Sequence, residues 1–500
     1  MQCFLFNSIT DYITFIESGK APILPRLVCI IQCVCSCRSK DLRLEIKKRN
    51  ERKKEQMKNA KKLLVLLVVF AMLLSLCACG AQQKQPEEKS AASAAEGAAS
   101  TEKTRIEVWH RASADMGANV LEEAAAEFNA SQDSFEIVPV YNSGEYKGLI
   151  QQMVADAASG STPGICQISY TWSNFLCENF PTTDIASLEG GEEFLTAFDS
   201  NLVDLCKNPD GSQVVGIPIA NSCPIFYYNI EVCQAAGLDT SNLPTTWEEV
   251  VEWAKAIVAN TDAEGFSFAA PPDFWLEEWL IEANGGEIYT EENGTYVAHF
   301  DDEAAVSAMQ EVADLYADGT GVFLSGADAI KEAFSSGKLG IMIATIGWST
   351  GFTTSCAFDW QAASVVSCKG NPVTAPVGGS MFCITATDPA VQEGAWQFLQ
   401  LLGNAKYIEA WSEATGYLPG RADVRESDGF KAYVEEHPYL NAGLNVIDAL
   451  NTPVAFPGSS ALQLQDDFCN ARDAIYTGHG TALDVMTALA ESANQLMNEG

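Results

Sequence analysis

Residues 347–351 (GWSTG) match the G-x-S-x-G pattern that places a nucleophilic serine at a strand-to-helix turn. An apolar run precedes the motif, and His437 and His479 follow it in the chain order that a serine hydrolase uses. The polar and β-branched residues 352–355 do not predict the helix that such a turn requires, and no HGGG-type oxyanion loop lies upstream. A serine hydrolase using Ser349 is therefore a competing interpretation and not the preferred one.

The sequence contains no comparable motif for carboxylate, metal or phosphate chemistry. A glycosidase needs two carboxyl groups that face each other, but with 66 acidic residues such pairs arise by chance, and none stands out. The HExxH and Walker A motifs are absent, and Cys33-x-Cys35-x-Cys37 lacks the two-residue gaps of zinc sites. We expect no catalytic residue, no metal site and no cofactor.

The stretch 57–80 predicts export. Three lysines give it a positive start, and residues 63–76 form an apolar run, interrupted only by Ser75, that small residues follow. These 14 residues span about 21 Å as a helix, short of the ~30 Å hydrocarbon core of a membrane. Residues 76–80 (LCACG) resemble the lipobox of bacterial lipoproteins. That resemblance implies cleavage before Cys79 and its acylation; an ordinary signal peptide with incidental cysteines is the alternative.

The segments on either side of this signal differ from it in composition. A signal peptide begins near the N-terminus, so we interpret residues 1–56 as an upstream extension from a misplaced start codon and residues 57–78 as the lipoprotein signal peptide. Residues 79–103 hold no aromatic or large apolar side chain. They cannot bury enough surface to offset the entropy of ordering, which predicts a flexible tether.

The charge of the exported part limits the kinds of partner that it can bind, and its cysteine content indicates how its thiols are used. Fourteen of the 30 basic and six of the 66 acidic residues precede Cys79, which leaves 422 residues with a formal charge of −44. That field repels nucleic acid, and the length fits two or three domains. Nine cysteines follow Cys79 without CxxC spacing. We expect most of them to be small buried hydrophobes, with Cys356 and Cys368 as a pair able to bridge neighbouring strands.

Strand and helix patterns alternate along the exported part. Apolar or alternating segments predict strands at 105–109, 135–141, 165–168, 214–219, 225–229 and 339–346. Helical spacing separates the first three strands, which indicates a parallel sheet flanked by helices. Residues 246–249 have the spacing of a capping box, and Asp388-Pro389 opens another helix.

Six segments in this order resemble the family-1 extracellular solute-binding proteins, the receptors of carbohydrate ABC transporters. They are 106–110 (IEVWH), 216–229 (GIPIANSCPIFYYN), 243–254 (LPTTWEEVVEWA), 337–348 (GKLGIMIATIGW), 377–385 (VGGSMFCIT) and 415–421 (TGYLPGR). The resemblance covers roughly residues 104–500. Within the family, 109–117 (WHRASADMG) and 141–146 (YNSGEY) are most similar to glycerol-3-phosphate and maltose-type receptors.

The resemblance implies an α/β, two-lobed periplasmic-binding-protein-like fold of type II, with parallel-rich sheets, flanking helices and hinge strands between the lobes. Residues 104–218 with 381–430 are expected to form one lobe, and 219–380 with 431–500 the other. The implied protein is a monomer without enzyme activity, anchored outside the cytoplasm by lipid at Cys79. It captures a carbohydrate between its lobes and delivers it to ABC transporter permease subunits.

A sugar offers flat C–H faces, which stack on aromatic rings, and hydroxyls, which need polar partners. The ligand contacts expected from the resemblance and from exposed turns are Tyr146, Tyr170, Trp172, Ser222, Gly347, Trp348, Ser349, Gly379, Ser380 and Tyr417. Trp275 and Trp279, one helical turn apart, predict a packed helix face, although Trp275 follows two prolines and has a route to the cleft.

Whether the ligand is neutral or anionic depends on whether the chain offers basic side chains that can bind an anion. Glycerol-phosphate receptors place an arginine in their C-terminal part, whereas residues 453–465 (PVAFPGSSALQLQ) contain no basic residue. Arg111, Lys147 and Arg421 are substitute anion partners, but the net field opposes them. We expect a neutral mono- or oligosaccharide, with glycerol 3-phosphate or a glycerophosphodiester as the alternative.

Overall fold

The computed structural model describes residues 103–157, 161–269 and 273–499. The predicted upstream extension, the signal peptide, Cys79 and the tether up to residue 102 lie outside these ranges. Within the ranges, no helix combines the length and the apolar character that a membrane span requires.

Thirteen strands are found in the described residues. They are β1 Thr104–His110, β2 Phe135–Tyr141, β3 Ile165–Ser169, β4 Gly216–Ser222, β5 Pro224–Asn229, β6 Glu264–Phe268, β7 Tyr289–Glu292, β8 Thr295–Ala298, β9 Leu339–Thr345, β10 Trp360–Ser364, β11 Ala375–Pro376, β12 Gly378–Ile384 and β13 Leu450–Asn451. The strands predicted from the sequence pattern all form, with ends shifted by at most three residues.

The same ranges hold eighteen α-helices. They are α1 Ala118–Ser131, α2 Glu145–Ala157, α3 Ser173–Asn179, α4 Gly191–Leu195, α5 Ser200–Asp204, α6 Ile230–Ala235, α7 Trp247–Asn260, α8 Trp275–Ala283, α9 Glu303–Ala317, α10 Ala327–Ser335, α11 Ser349–Ser355, α12 Pro389–Leu402, α13 Ala405–Thr415, α14 Ala422–Arg425, α15 Asp428–Glu436, α16 Asn441–Leu444, α17 Ala461–Tyr476 and α18 Ala482–Asn498. The predicted capping box opens α7, where Thr246 and Glu249 exchange hydrogen bonds.

Two mixed sheets carry the fold. The first has the order β2-β1-β3-β12-β4, and the second has the order β10-β5-β9-β6. In the first sheet only β12 runs against the other strands, and in the second only β5 does. The sheets are thus less uniformly parallel than the strand-helix alternation alone indicates.

The two reversed strands are those that enter each sheet from the other one. Only Cys223 separates β4 in the first sheet from β5 in the second, and β11 leads back into β12 through Val377. The hydroxyl oxygens of Ser222 and Thr345 lie 2.7 Å apart and join the end of β4 to the end of β9. The predicted lobe boundaries at 218/219 and 380/381 fall inside β4 and β12, and the assignment of residues to lobes stays a prediction.

The segment after the GWSTG motif is helical, so the expectation that no helix follows it was wrong. Residues 349–355 form α11. The helix is held by Phe352, whose ring lies 5.3 Å from that of Tyr227 and 5.1 Å from that of Phe334. Burial of this one aromatic side chain outweighs the low helix propensity of its β-branched and polar neighbours.

The nine cysteines of the described residues are all free thiols, six of them buried and three half-buried. Their expected role as small hydrophobic side chains is confirmed. Cys356 and Cys368 do not form a disulfide.

Candidate functional site

A cavity of about 210 Å³ lies where the two sheets meet. Most of the residues that line it follow the C-terminal ends of β1, β2, β3, β4, β6 and β9, or stand at the start of β12, and the others come from α10, α17 and the turn after α13. Strands that run in the same direction bring their carboxyl ends to one edge of a sheet, so the side chains beyond those ends converge. A strand that crosses from the other sheet begins at that edge, which explains why β5 and β12 are reversed.

Six of the ten predicted ligand contacts line this cavity. They are Tyr146, Trp172, Ser222, Trp348, Gly379 and Tyr417. Trp172 and Tyr417 are almost entirely buried in the walls, whereas Trp348 is half-buried and presents more of its ring. The cavity therefore combines aromatic faces with a hydroxyl group from each sheet, those of Ser222 and Thr345.

Three of the other four predicted contacts support the walls from behind. The Tyr170 hydroxyl donates to Asn221 Oδ1 at 2.7 Å, and Ser380 Oγ accepts from Gln167 Nε2 at 2.9 Å. Ser349 is fully buried. These three residues position the strand ends and do not face the cavity.

The fourth residue, Gly347, makes room for an aromatic wall. A Cβ atom at this position would lie 2.4 Å from the Tyr417 ring. Gly378 has the same relation to Trp275, whose ring would lie 2.6 Å from an added Cβ. Any side chain at these two positions would displace a ring that forms the wall.

The sequence left open whether Trp275 packs on the same helix face as Trp279 or reaches the cleft, and the structure gives the two residues different environments. Trp279 is fully buried among aromatic rings, as a packed helix face predicts. Trp275 lines the cavity and donates from Nε1 to the Pro376 carbonyl at 2.9 Å.

Three basic and two acidic residues line the cavity. Arg111 forms an ion pair with Glu145 and lies 4.9 Å from the Tyr146 ring centroid, and Lys147 forms an ion pair with Asp466. Lys331 Nζ lies 4.7 Å above the Trp348 ring. The cavity is thus locally less negative than the chain as a whole.

Sequence reasoning missed Asp273, Lys331 and Gln465, which also line the cavity. Asp273 stands just after the two prolines, and burial raises its pKa. Lys331 and Gln465 lie on α10 and α17, where their neighbours form ordinary amphipathic patterns. No local signal distinguishes them, because only the packing of these helices brings them to the strand ends.

A family model described as "Bacterial extracellular solute-binding protein" matches residues 123–438. The chain belongs to this family. The resemblance inferred from the sequence is confirmed, and the protein is the solute-binding receptor of an ABC importer, which works outside the cytoplasm.

Curated relatives include two sn-glycerol-3-phosphate-binding periplasmic proteins named UgpB. The protein from Agrobacterium fabrum is 28% identical over 351 residues, 67% of this chain and 78% of the relative. That from Pectobacterium atrosepticum is 23% identical over 417 residues, 80% of this chain and 93% of the relative.

Solved structures show the same two-lobed fold. The cyclic alpha-maltosyl-1,6-maltose binding protein from Arthrobacter globiformis superposes with a TM-score of 0.68 at 20% identity, over 80% of this chain and all of the other. UgpB from Mycobacterium tuberculosis, in complex with glycerophosphocholine, gives a TM-score of 0.67 at 19% identity, over 79% of this chain and 99% of the other. The predicted fold class is confirmed.

The helix that carries Trp275 into the cavity also holds the segments next to β11 and β13 of this solute-binding protein. Glu278 accepts from the Val454 N–H at 2.6 Å, and Glu282 accepts from Asn451 Nδ2 at 2.9 Å and from Thr374 Oγ1 at 3.1 Å. Burial and the nearby Glu282 carboxylate raise the pKa of Glu278 well above its usual range. The cavity wall at Trp275 is thus supported by a buried acidic side chain that holds its proton to a higher pH in the folded state than in the unfolded chain.

This arrangement predicts how stability changes with pH. As pH rises above ~4.5, Glu278 ionises in the unfolded chain at a lower pH than in the folded one, so the folded state loses relative stability until the folded-state pKa is reached. Glu278→Gln keeps the Val454 hydrogen bond and removes this loss, so the variant should become more stable than the wild type as pH rises toward 8. Urea denaturation from pH 5 to 8 measures the difference, with the exposed Glu303→Gln as control. A difference that shrinks with rising pH would contradict the account.

Proposed function

We propose that this protein captures a neutral carbohydrate in the cavity between its two sheets and passes it unchanged to the membrane permease. The observation that carries the proposal is the composition of the walls: Trp172, Trp348 and Tyr417 offer ring faces, while Ser222 and Thr345 offer hydroxyls from opposite sheets. Ring faces and dense small polar groups are the two requirements of sugar recognition.

Delivery of the ligand to the permease depends on a cavity that residues of both lobes line. A ligand that touches residues of both sheets favours the closed arrangement, since only there does it make all of its contacts. The permease then distinguishes the closed, loaded receptor from the open one. The cavity volume of about 210 Å³ is below the usual ~300–1,000 Å³ of small-molecule sites, which favours a mono- or disaccharide over a long oligosaccharide.

The alternative ligand is glycerol 3-phosphate or a glycerophosphodiester. It is supported by the names of the relatives and by Arg111, Lys147 and Lys331 in the cavity wall. Two of these cations already have carboxylate partners, Glu145 and Asp466, which reduces what they offer to a phosphate. A neutral ligand therefore remains the preferred proposal.

The surroundings of Ser349 also support a receptor and not a hydrolase. Its hydroxyl lies 2.9 Å from the Tyr227 hydroxyl, in the interior behind the cavity wall. His437 packs against Tyr433, with ring centroids 4.1 Å apart, and His479 Nδ1 lies 2.8 Å from Thr477 Oγ1. The helix after the motif resembles that of a nucleophile elbow. However, neither histidine provides a general base within reach of Ser349.

Titration with a ligand panel tests the proposed function. Calorimetry with glucose, maltose, maltotriose, glycerol and sn-glycerol 3-phosphate should show saturable binding of a neutral sugar. At a hundredfold excess over Kd, the sugar should stabilise the protein by about 2.7 kcal/mol. p-Nitrophenyl acetate and p-nitrophenyl glucoside should remain intact. If the wild type hydrolyses either compound and Ser349→Ala does not, the protein is a hydrolase and the receptor proposal is wrong.

The half-buried ring of Trp348 should contribute directly to affinity. Trp348→Ala removes a stacking face and should weaken binding of the sugar found in that panel by about tenfold or more. Trp253→Ala is the control, because Trp253 packs on Tyr228, with ring centroids 5.8 Å apart, and is not among the residues that line the cavity. The control should lower the melting temperature and leave the Kd unchanged. Equal loss of affinity in both variants would argue against a stacking role.

We also propose that Cys79 is acylated and tethers the folded body to the outer face of the cell membrane through residues 79–103. The sequence at 76–80 supports this anchor. Cys79→Ser should release the protein into the medium and abolish incorporation of labelled palmitate, with Cys77→Ser as the matched control. Label that persists in Cys79→Ser would contradict the assignment.

A further inference from the structure

One ion pair in the cavity wall has both of its partners in the cavity lining. Arg111, which follows β1, and Glu145, at the start of α2, both line the cavity, and their side chains form the pair. The pair between Lys147 and Asp466 differs, because Asp466 is not among the lining residues. Glu145 thus neutralises a basic side chain from inside the cavity.

The Arg111 side chain is enclosed, whereas its acidic partner is open to solvent. The Arg111 side chain is 15% exposed and that of Glu145 is 53% exposed. The Arg111 Cζ atom lies 4.9 Å from the Tyr146 ring centroid, and the Arg111 backbone N–H donates to Gln167 Oε1 at 3.1 Å. A solute that approaches the guanidinium therefore meets the Glu145 carboxylate beside it.

The backbone at Glu145 is unusual. Its φ angle is 57°, in the left-handed region that residues other than glycine seldom adopt. The turn before it is held by Asn142, whose Oδ1 accepts from the Gly144 N–H at 2.8 Å. Two successive residues then contact Arg111, Glu145 through its carboxylate and Tyr146 through its ring. A strained backbone position that carries a charged side chain in a ligand cavity indicates a function for that side chain.

We propose that Glu145 sets the charge selectivity of the cavity: its carboxylate neutralises Arg111 and thereby excludes phosphate monoesters in favour of neutral, hydroxyl-bearing solutes. The inference rests on the proposed capture of a neutral carbohydrate and names the residue that enforces it. A phosphate beside Arg111 would be attracted by the guanidinium and repelled by the adjacent carboxylate, so the net attraction is small. A hydroxyl can donate to the carboxylate and accept from the guanidinium, so a neutral ligand can use both partners.

Two substitutions remove the Glu145 charge by different routes. Glu145→Gln keeps the size of the side chain, and sn-glycerol 3-phosphate should bind it at least about tenfold more tightly than the wild type, because Arg111 is no longer neutralised. A neutral sugar found in the ligand panel should stay within about threefold, since the amide still offers an acceptor. Glu145→Gly should give the same gain for the phosphate. Its melting temperature should stay within about 3 °C of the wild type, because glycine adopts a positive φ without strain.

Two further variants show whether the gain depends on the cavity ion pair. Arg111→Met combined with Glu145→Gln removes the cation as well and should abolish the gain. Glu136→Gln removes the same charge from an exposed position on β2 outside the cavity lining, and should leave every Kd within about twofold because exposed charges are screened. All variants are measured by calorimetry at one ionic strength on the folded exported chain from residue 79.

The possible results separate the role of Glu145 from the proposed function. If neither Glu145 variant gains affinity for sn-glycerol 3-phosphate, the inference is wrong, whatever sugar the wild type binds. It is also wrong if the gain persists without Arg111, if Glu136→Gln produces it, or if the wild type already binds the phosphate as tightly as the variants do. A wild type that binds no sugar, together with a gain that requires Arg111, refutes the carbohydrate proposal and supports the exclusion of anions by Glu145.

Discussion

The direction in which strands cross between the two sheets is the constraint on which this structure depends. One residue, Cys223, separates β4 from β5, so the chain passes from one sheet to the other without a loop. A crossing this short can only leave from the carboxyl edge of one sheet and enter the other sheet at the edge that faces it. Both carboxyl edges must then face each other, and the loops that follow the strands line one shared cavity.

That constraint also explains the close packing around the crossings. The hydroxyls of Ser222 and Thr345 join the two sheets at the point of passage. On the returning side, Gly378 leaves room for the Trp275 ring, and Glu278 holds the segment near Val454. Cavity-lining residues and the crossings between the sheets are therefore neighbours.

Charge is distributed unevenly in a way that matters for the ligand. The exported chain is strongly acidic, yet Arg111, Lys147 and Lys331 all lie at the cavity. Burial raises the pKa of the Glu278 and Asp273 carboxyl groups. The cavity, with three basic and two acidic side chains in its walls, thus departs from the acidic balance of the whole chain.

The sequence alone determined the elements, the family and most of the aromatic wall, because those depend on local patterns: alternation in β1, the capping box of α7, and Trp348 in a glycine-flanked turn. It failed where a distant contact outweighs local preference, as in α11, which Phe352 anchors against Tyr227. Only the tertiary structure decided that Ser349 is buried and that Gln465 reaches the cavity. The physical reason is that side-chain exposure is set by which helices pack at the strand ends, and periodicity along one helix carries no information about its partner.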